Sequence, residues 1–441
     1  MDYGHVTTGA GRSLRQRNYD PGGVSGGQRL RERRASGVET PPPVAARSPV
    51  FGIWLWSRCA IWAAALFALF TFQPNRNPLA DRWDDPKLTH DLGAITDVWA
   101  RWDSVWFLRI AEHGYASASH ADAAFYPLYP ATVAGLGRVF FGHYVVAGLL
   151  ISLVASLGAF LLLHRVAEER LGVDGARRTV LYLAVFPMSL FLIAVYSESL
   201  FLLLALAAFW LAERGRWLPA WTVAGLALLT RIAGLALLPA LLLLAWRSPD
   251  RRRALAGVLI PAGLFAGYPI YLAARTGDGW AFVHSQGNWQ RHFSYAGPLG
   301  GIWDGLRSGW AGIEQLASGS HTHRYWTAVP LADSDPIRTA AINLSALAFL
   351  VLFVFLSVVA WRRFGPVYGV YCLVSLAIPL SVPSSKWPLL SMPRFGLALF
   401  PIFLALAVVG GRPRVHTAIL AVSGILLGVA VSQWALWQWV A

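Results

Sequence analysis

The chain has 441 residues, 56% of them hydrophobic and 14% charged, with a net charge of +14 at pH 7 and a mean hydropathy of +0.48. This composition excludes an ordinary soluble enzyme, which would have to hide several all-round hydrophobic helices in one core. Runs such as SLFLLLALAAFWLA and GLALLPALLLLAW instead belong to segments near the ~20 apolar residues that span a ~30 Å hydrocarbon layer. The short alternating segments of a membrane barrel are absent, so the expected fold class is an all-α polytopic membrane protein. The positive charge does not call for a nucleic-acid partner. Its arginines gather in the N-terminal stretch and in short turns between apolar runs, where they orient helices. Lys87 and Lys386 are the only lysines, a bias that suits a GC-rich bacterial genome.

Residues 1–50 are rich in Gly, Arg, Ser and Pro and hold few large apolar residues. They are expected to form a disordered basic cytoplasmic tail, followed by a transmembrane domain over 51–441. A first helix at about 53–73 then runs outward. Basic turns at 164–178, 213–216, 247–253, 361–364 and 411–414 should share the cytoplasmic side. The apolar segments between them fit two helices over 179–212, turning outside at YSES, and two over 217–246, turning near TRIAG. Single spans fit 143–164, 254–274, 337–360, 367–381, 394–410 and 415–437. FYPLYPATVAGLGRVFFG reads as a shorter interfacial element. About 11 spans result, in a multi-pass cell-membrane protein with its C-terminus outside. Two large loops, about 74–122 and 275–336, then lie on the outer face.

A tail of this kind should play no part in what the outer face does. Deleting residues 1–46 while keeping Arg47 should leave the function of that face close to that of the full chain. A large loss of function in correctly inserted protein would show that the tail does more than orient the first helix.

The first outer loop contains RWDSVWFLRIAEHGY, residues 101–115. Helical angles put Asp103 on a side shared with Trp106, Phe107 and Ile110. A carboxylate among aromatics near a membrane needs a partner or a task. Asp103 could pair with Arg101 or Arg109 and simply orient an interfacial helix. Arg109 and Glu112, three apart, could be a surface pair, and His113 before Gly114 a helix end. AFYPLYP carries Tyr126 and Tyr129 around two prolines, and interfacial tyrosines are also ordinary belt residues. YSESL sets Glu198 at the outer end of a helical hairpin. Arg231 in LLTRIAGL and Arg394 in SMPRFGLALFP each sit at the outer end of an apolar run, where arginine can snorkel to headgroups or grip a phosphate. If both only snorkel, any phosphate would have to be met at Arg101, Arg109 or the 275–336 loop.

Taken in order, RWDSVWFLRIAEHGY, AFYPLYP, FPMSLFLIAVYSESLF, ALLTRIAGLALLP and MPRFGLALFP resemble the PIG-V-type mannosyltransferases. These fall in the GT-C class of polyprenyl-phosphate-dependent glycosyltransferases, and the composition points to a bacterial member. The resemblance implies a GT-C-like bundle. It implies transfer of a mannosyl residue from polyprenyl-phosphate mannose to a glycolipid, glycan or protein acceptor on the outer face. It assigns the catalytic carboxylate to Asp103 and suggests that Arg231 and Arg394 hold the donor phosphate. The substrate-binding set expected around them is Arg101, Trp102, Glu112, His113, Tyr126, Tyr129 and Glu198. Aromatics can stack on a sugar, a carboxylate can take the acceptor's proton, and cations can stabilise the departing phosphate. Direct displacement would invert the sugar carbon.

Two alternatives stand beside this reading. The same class could use lipid-linked arabinose or glucose. A lipid transporter or flippase would instead place its ionisable residues at the midplane of broken helices. No cofactor is expected. The acidic run RWDDPKLTHD could assist through a divalent metal, although a solvated loop is the simpler account, and no metal ligand is assigned. Cys59 and Cys372 suggest neither a disulfide framework nor a zinc site.

Overall fold

The computed structural model describes residues 48–75, 83–115, 121–327 and 335–440. The basic tail therefore lies outside the described residues except for its last three positions, which already belong to the first helix. That helix, α1, runs Ser48–Thr71 and so starts five residues earlier than the apolar pattern suggests. The longer helices that follow are α2 (Ser104–His113), α3 (Leu128–Val139), α4 (Tyr144–Val185), α5 (Glu198–Glu213), α6 (Trp217–Thr230) and α7 (Leu237–Trp246). Then come α8 (Ile260–Thr276), α9 (Pro298–Ser318), α10 (Pro336–Phe364), α11 (Pro366–Leu380), α12 (Phe400–Val409) and α13 (Pro413–Ala435). Among the described residues there is no strand, only one antiparallel bridge between Arg291 and Ser384. Proline stands in the first turn of α8, α9, α10, α11, α12 and α13. A missing N–H costs nothing there, because those donors have no helical partner.

Length and composition alone account for fewer spans than the 11 expected. Five helices of the described residues are long and apolar enough to cross a membrane. Six are, if Met392–Ala398 and Phe400–Val409, bent by 92°, count as one. The segments 217–230, 232–246 and 366–380 are apolar but shorter than the ~20 residues a straight crossing needs. The expected basic loop at 164–178 is also different. Helix α4 continues through it and is broken only at Gly172, whose φ of 70° ends one helical leg and starts the next.

The basic segments at 164–178 and 213–216 nevertheless meet. Arg170 Nη2 lies 2.5 Å from Glu213 Oε1, Arg214 pairs with Glu169, and the Tyr368 hydroxyl donates to Glu213 Oε1 at 2.8 Å. Glu213 ends α5, and Glu198 begins it. In a helix of 16 residues the two positions are fifteen rises of 1.5 Å apart, about 22 Å along the axis, most of a hydrocarbon layer. Two of the basic segments thus lie at one end of α5 and, as shown below, the candidate chemistry at the other.

Between α4 and α5 the backbone is irregular and buried, with a 3₁₀ turn at Ser189–Leu192. Irregular backbone in an apolar setting survives only if its polar groups are satisfied within the protein. Arg58 of α1 does this, donating from Nη1 to Ser189 O at 2.9 Å and from Nη2 to Ser189 Oγ at 3.3 Å. The Ser152 hydroxyl donates to Ala194 O at 2.8 Å, and Val195 N donates to Trp99 O at 3.1 Å. These contacts fix the entry of α5 and hence the position of Glu198.

Candidate active site

Asp103 directly precedes α2. Its backbone is already helical, yet its side chain does not cap the helix. Oδ2 instead accepts a hydrogen bond from Arg394 Nη1 at 2.8 Å, an ion pair between a buried carboxylate and a partly buried guanidinium. Among the described residues Oδ1 has no hydrogen-bond partner. The Asp103 backbone N–H donates to the Tyr196 hydroxyl at 3.0 Å, and that hydroxyl donates to Arg101 O at 3.3 Å. Asp103 is therefore held through both its main chain and its side chain.

Glu198 is the first residue of α5, where the helix dipole favours a negative charge. It is only 4% exposed. Its Oε1 forms ion pairs with Arg231 Nη1 and, at 3.4 Å, with Arg394 Nε. Arg231 also donates to Ser197 Oγ at 3.2 Å. Arg231 is extended, between α6 and a 3₁₀ turn at Ile232–Ala236. That turn folds back so closely that a Cβ on Gly234 would sit 2.4 Å from the Leu228 nitrogen, so the tight turn presenting Arg231 requires glycine. Arg394 lies in a single helical turn, Met392–Phe395, ahead of the 92° bend into α12.

Asp103, Arg231 and Arg394 open onto one cavity of about 400 Å³, together with Tyr126 and Tyr196. This is the size range of small-molecule sites. Its apolar wall includes Phe125, stacked on Trp106 with centroids 5.9 Å apart, and Trp289, set edge-on to Phe125 at 5.6 Å. A third arginine, Arg291, also lines it. The extended segment that carries Arg291 pairs with 381–385 through His292 N to Pro383 O and Ser385 N to Gln290 O.

Backbone strain is concentrated here. The described non-glycine residues with positive φ are Trp102 (56°), Phe141 (54°), Gln290 (54°), Ser391 (66°) and Trp437 (56°). Trp102 precedes Asp103, Gln290 precedes Arg291, and Ser391 starts the turn that holds Arg394. Such conformations persist only where the surroundings enforce them, and they cluster at functional sites.

Of the residues expected at the site, Asp103, Tyr126, Arg231 and Arg394 line the cavity, and Glu198 joins them through its ion pairs. The others are placed elsewhere. Arg101 is buried with Nη1 3.5 Å from Trp434 O and its guanidinium 4.6 Å from the Trp437 ring. Burial pushes it down to about 10, against the opposing charges of Asp84 and Asp97. Trp102 packs with Trp83, Trp437 and Trp439. Tyr129 is wholly buried, its hydroxyl 3.0 Å from Ser152 Oγ. Glu112 and His113 are exposed, 4.0 Å from each other, while Arg109 faces Asp85 at 3.6 Å rather than Glu112. The acidic run is locally tied, with the Thr89 hydroxyl donating to Asp84 Oδ1 at 2.5 Å.

No curated protein matches the chain. Among solved structures it is similar to the oligosaccharyltransferase of Archaeoglobus fulgidus in its apo form, at 13% identity and a TM-score of 0.41, covering 86% of this chain and 56% of that one. The oligosaccharyltransferase AglB from Archaeoglobus fulgidus, in complex with an inhibitory peptide and a dolichol-phosphate, gives 13% identity and a TM-score of 0.38, with coverage of 86% and 56%. ArnT from Cupriavidus metallidurans bound to undecaprenyl phosphate gives 18% and 0.35, with coverage of 85% and 78%. The chain spans a little over half the length of the oligosaccharyltransferase. Residues 93–243, about a third of the chain, match the family model for mannosyltransferase (PIG-V). That segment, which is similar to the mannosyltransferase (PIG-V) family over this third of the chain, contains Asp103, Tyr126, Glu198 and Arg231.

Proposed function

We propose that the protein is a multi-pass membrane glycosyltransferase that moves a mannosyl residue from polyprenyl-phosphate mannose to an acceptor hydroxyl at the outer face. The observation that carries this reading is Asp103. One of its oxygens is anchored by Arg394, and the other has no hydrogen-bond partner among the described residues, at a cavity lined by arginine and aromatic side chains. In the proposed step Asp103 takes the acceptor's proton. The acceptor oxygen attacks the anomeric carbon as the bond from that carbon to the phosphate oxygen breaks. The polyprenyl phosphate leaves with the electron pair, and the configuration inverts. The arginines offset the charge that grows on the leaving phosphate. The acceptor is a glycolipid, glycan or protein hydroxyl, and the lipid tail of the donor stays in the membrane.

The test is to supply membranes containing the protein with radiolabelled polyprenyl-phosphate mannose. Label should appear in a new glycosidic product of inverted configuration. Transfer only from an arabinose or glucose donor would keep the class and change the sugar. Movement of intact lipid across the bilayer, with no new glycosidic bond, would overturn the proposal in favour of a flippase.

A further inference from the structure

The arginines of the cavity are not equivalent. Arg394 faces Asp103 and Glu198, and Arg231 faces Glu198. Two carboxylates thus neutralise two guanidinium groups. Arg291 lines the same cavity and makes no ion pair with any described residue. Its contacts are two main-chain carbonyls, Val382 O at 3.0 Å from Nη1 and Leu390 O at 3.1 Å from Nη2. A guanidinium carries five N–H donors. These carbonyls use two, and the other three have no protein partner among the described residues.

We propose that Arg291, rather than the paired Arg231 and Arg394, is the anion-binding residue of the cavity, and that it takes the monophosphate of the lipid carrier. This inference rests on the glycosyltransferase reading above. A sugar linked to a polyprenyl monophosphate is a phosphodiester with one negative charge, and three arginines against two carboxylates leave one positive charge to meet it. A phosphate at Arg291 needs no existing ion pair to break, whereas one at Arg394 would compete with Asp103. The site is also built in advance. Gln290 is held at a φ of 54°, Ser385 N donates to Gln290 O at 2.9 Å, and the two carbonyls fix the plane of the guanidinium. Preorganisation of this kind spares the entropy of ordering a long side chain on binding. Burial pushes Arg291 down to about 10, Arg394 adding to the shift and Asp103 opposing it, so the group stays charged at neutral pH.

Binding should be measured with the full chain in nanodiscs, using undecaprenyl monophosphate and undecaprenol as probes. The wild-type protein should prefer the phosphate by at least about tenfold, the scale of a charge-assisted hydrogen bond. Arg291→Gln should reduce that preference about tenfold. Arg291→Lys, which keeps the charge and loses the planar fork, should reduce it a few-fold. An Arg291 that only ties 286–294 to 382–390 would change thermal stability and leave the ratio of the two affinities unmoved. An unchanged preference in both variants overturns the assignment to Arg291 and spares the glycosyltransferase reading. No preference in the wild-type protein overturns both. Loss of the preference when inorganic phosphate is added at millimolar concentration would assign Arg291 to a free anion and overturn the lipid assignment.

Discussion

Asp103→Asn should lower turnover by about 10²-fold or more, the range for losing a general base, while expression and membrane insertion stay normal. The substitution is nearly isosteric. Asparagine can still accept from Arg394 through its amide oxygen, and the bond from the residue-103 backbone N–H to Tyr196 does not involve the side chain. What disappears is the capacity of the cavity-facing side chain to take a proton. A competing account makes Asp103 only a tie between the start of α2 and the Met392–Phe395 turn. That account predicts the opposite pattern, with a lower melting temperature and near-normal turnover per folded molecule. Measuring both quantities on the purified variant separates the two.

Arg394→Met should destabilise the protein by about 3 kcal/mol or more. Removing one member of a buried ion pair strands the other, and the usual cost is ~3–5 kcal/mol. Here one guanidinium serves two carboxylates, Asp103 at 2.8 Å and Glu198 at 3.4 Å. Among the described residues, Asp103 would keep no cation at ion-pair distance, and Glu198 would keep only Arg231. The second substitution Glu198→Gln, which removes one of the stranded charges, should recover part of the loss. A double-mutant cycle by chemical denaturation in detergent would measure the coupling. Additive effects, or a single variant as stable as wild type, would mean that the arginine is not the electrostatic centre of the cluster.

The sequence motifs singled out Asp103, Glu198, Arg231 and Arg394, which the structure brings together, because each is an ionisable group at the end of an apolar run, a pattern readable without coordinates. The residues placed away from the cavity are there for physical reasons. Glu112 lies nine residues after Asp103, and at 100° per residue that is half a turn out of phase, so α2 sends it to the opposite side. His113 follows it onto the surface. Arg101 is separated from Asp103 by the strained Trp102 and packs against Trp437 instead. Tyr129 sits inside α3 and is claimed by Ser152 of α4. Arg291 carried no periodic signal, since its position is set by pairing with residues about 90 positions away. Helix α9 was hidden in a segment that read as loop. Its 21 residues include five glycines, which argue against a helix by propensity. They let it pack closely on α10, where a Cβ at Gly312 would stand 3.2 Å from Ala340 O. The number of spans was the least legible feature, because short apolar helices and a 92° bend occupy sequence that hydropathy alone reads as complete crossings.

The central claim is that sugar transfer takes place in the cavity between Asp103 and the arginines. A structure of the Asp103→Asn protein with intact polyprenyl-phosphate mannose trapped in it tests this most directly. The account predicts the mannosyl anomeric carbon inside the cavity, facing the side chain of residue 103 beside the aromatic wall of Phe125 and Trp289. A donor bound with its sugar outside this cavity, with no path from residue 103 to the anomeric carbon, would contradict it.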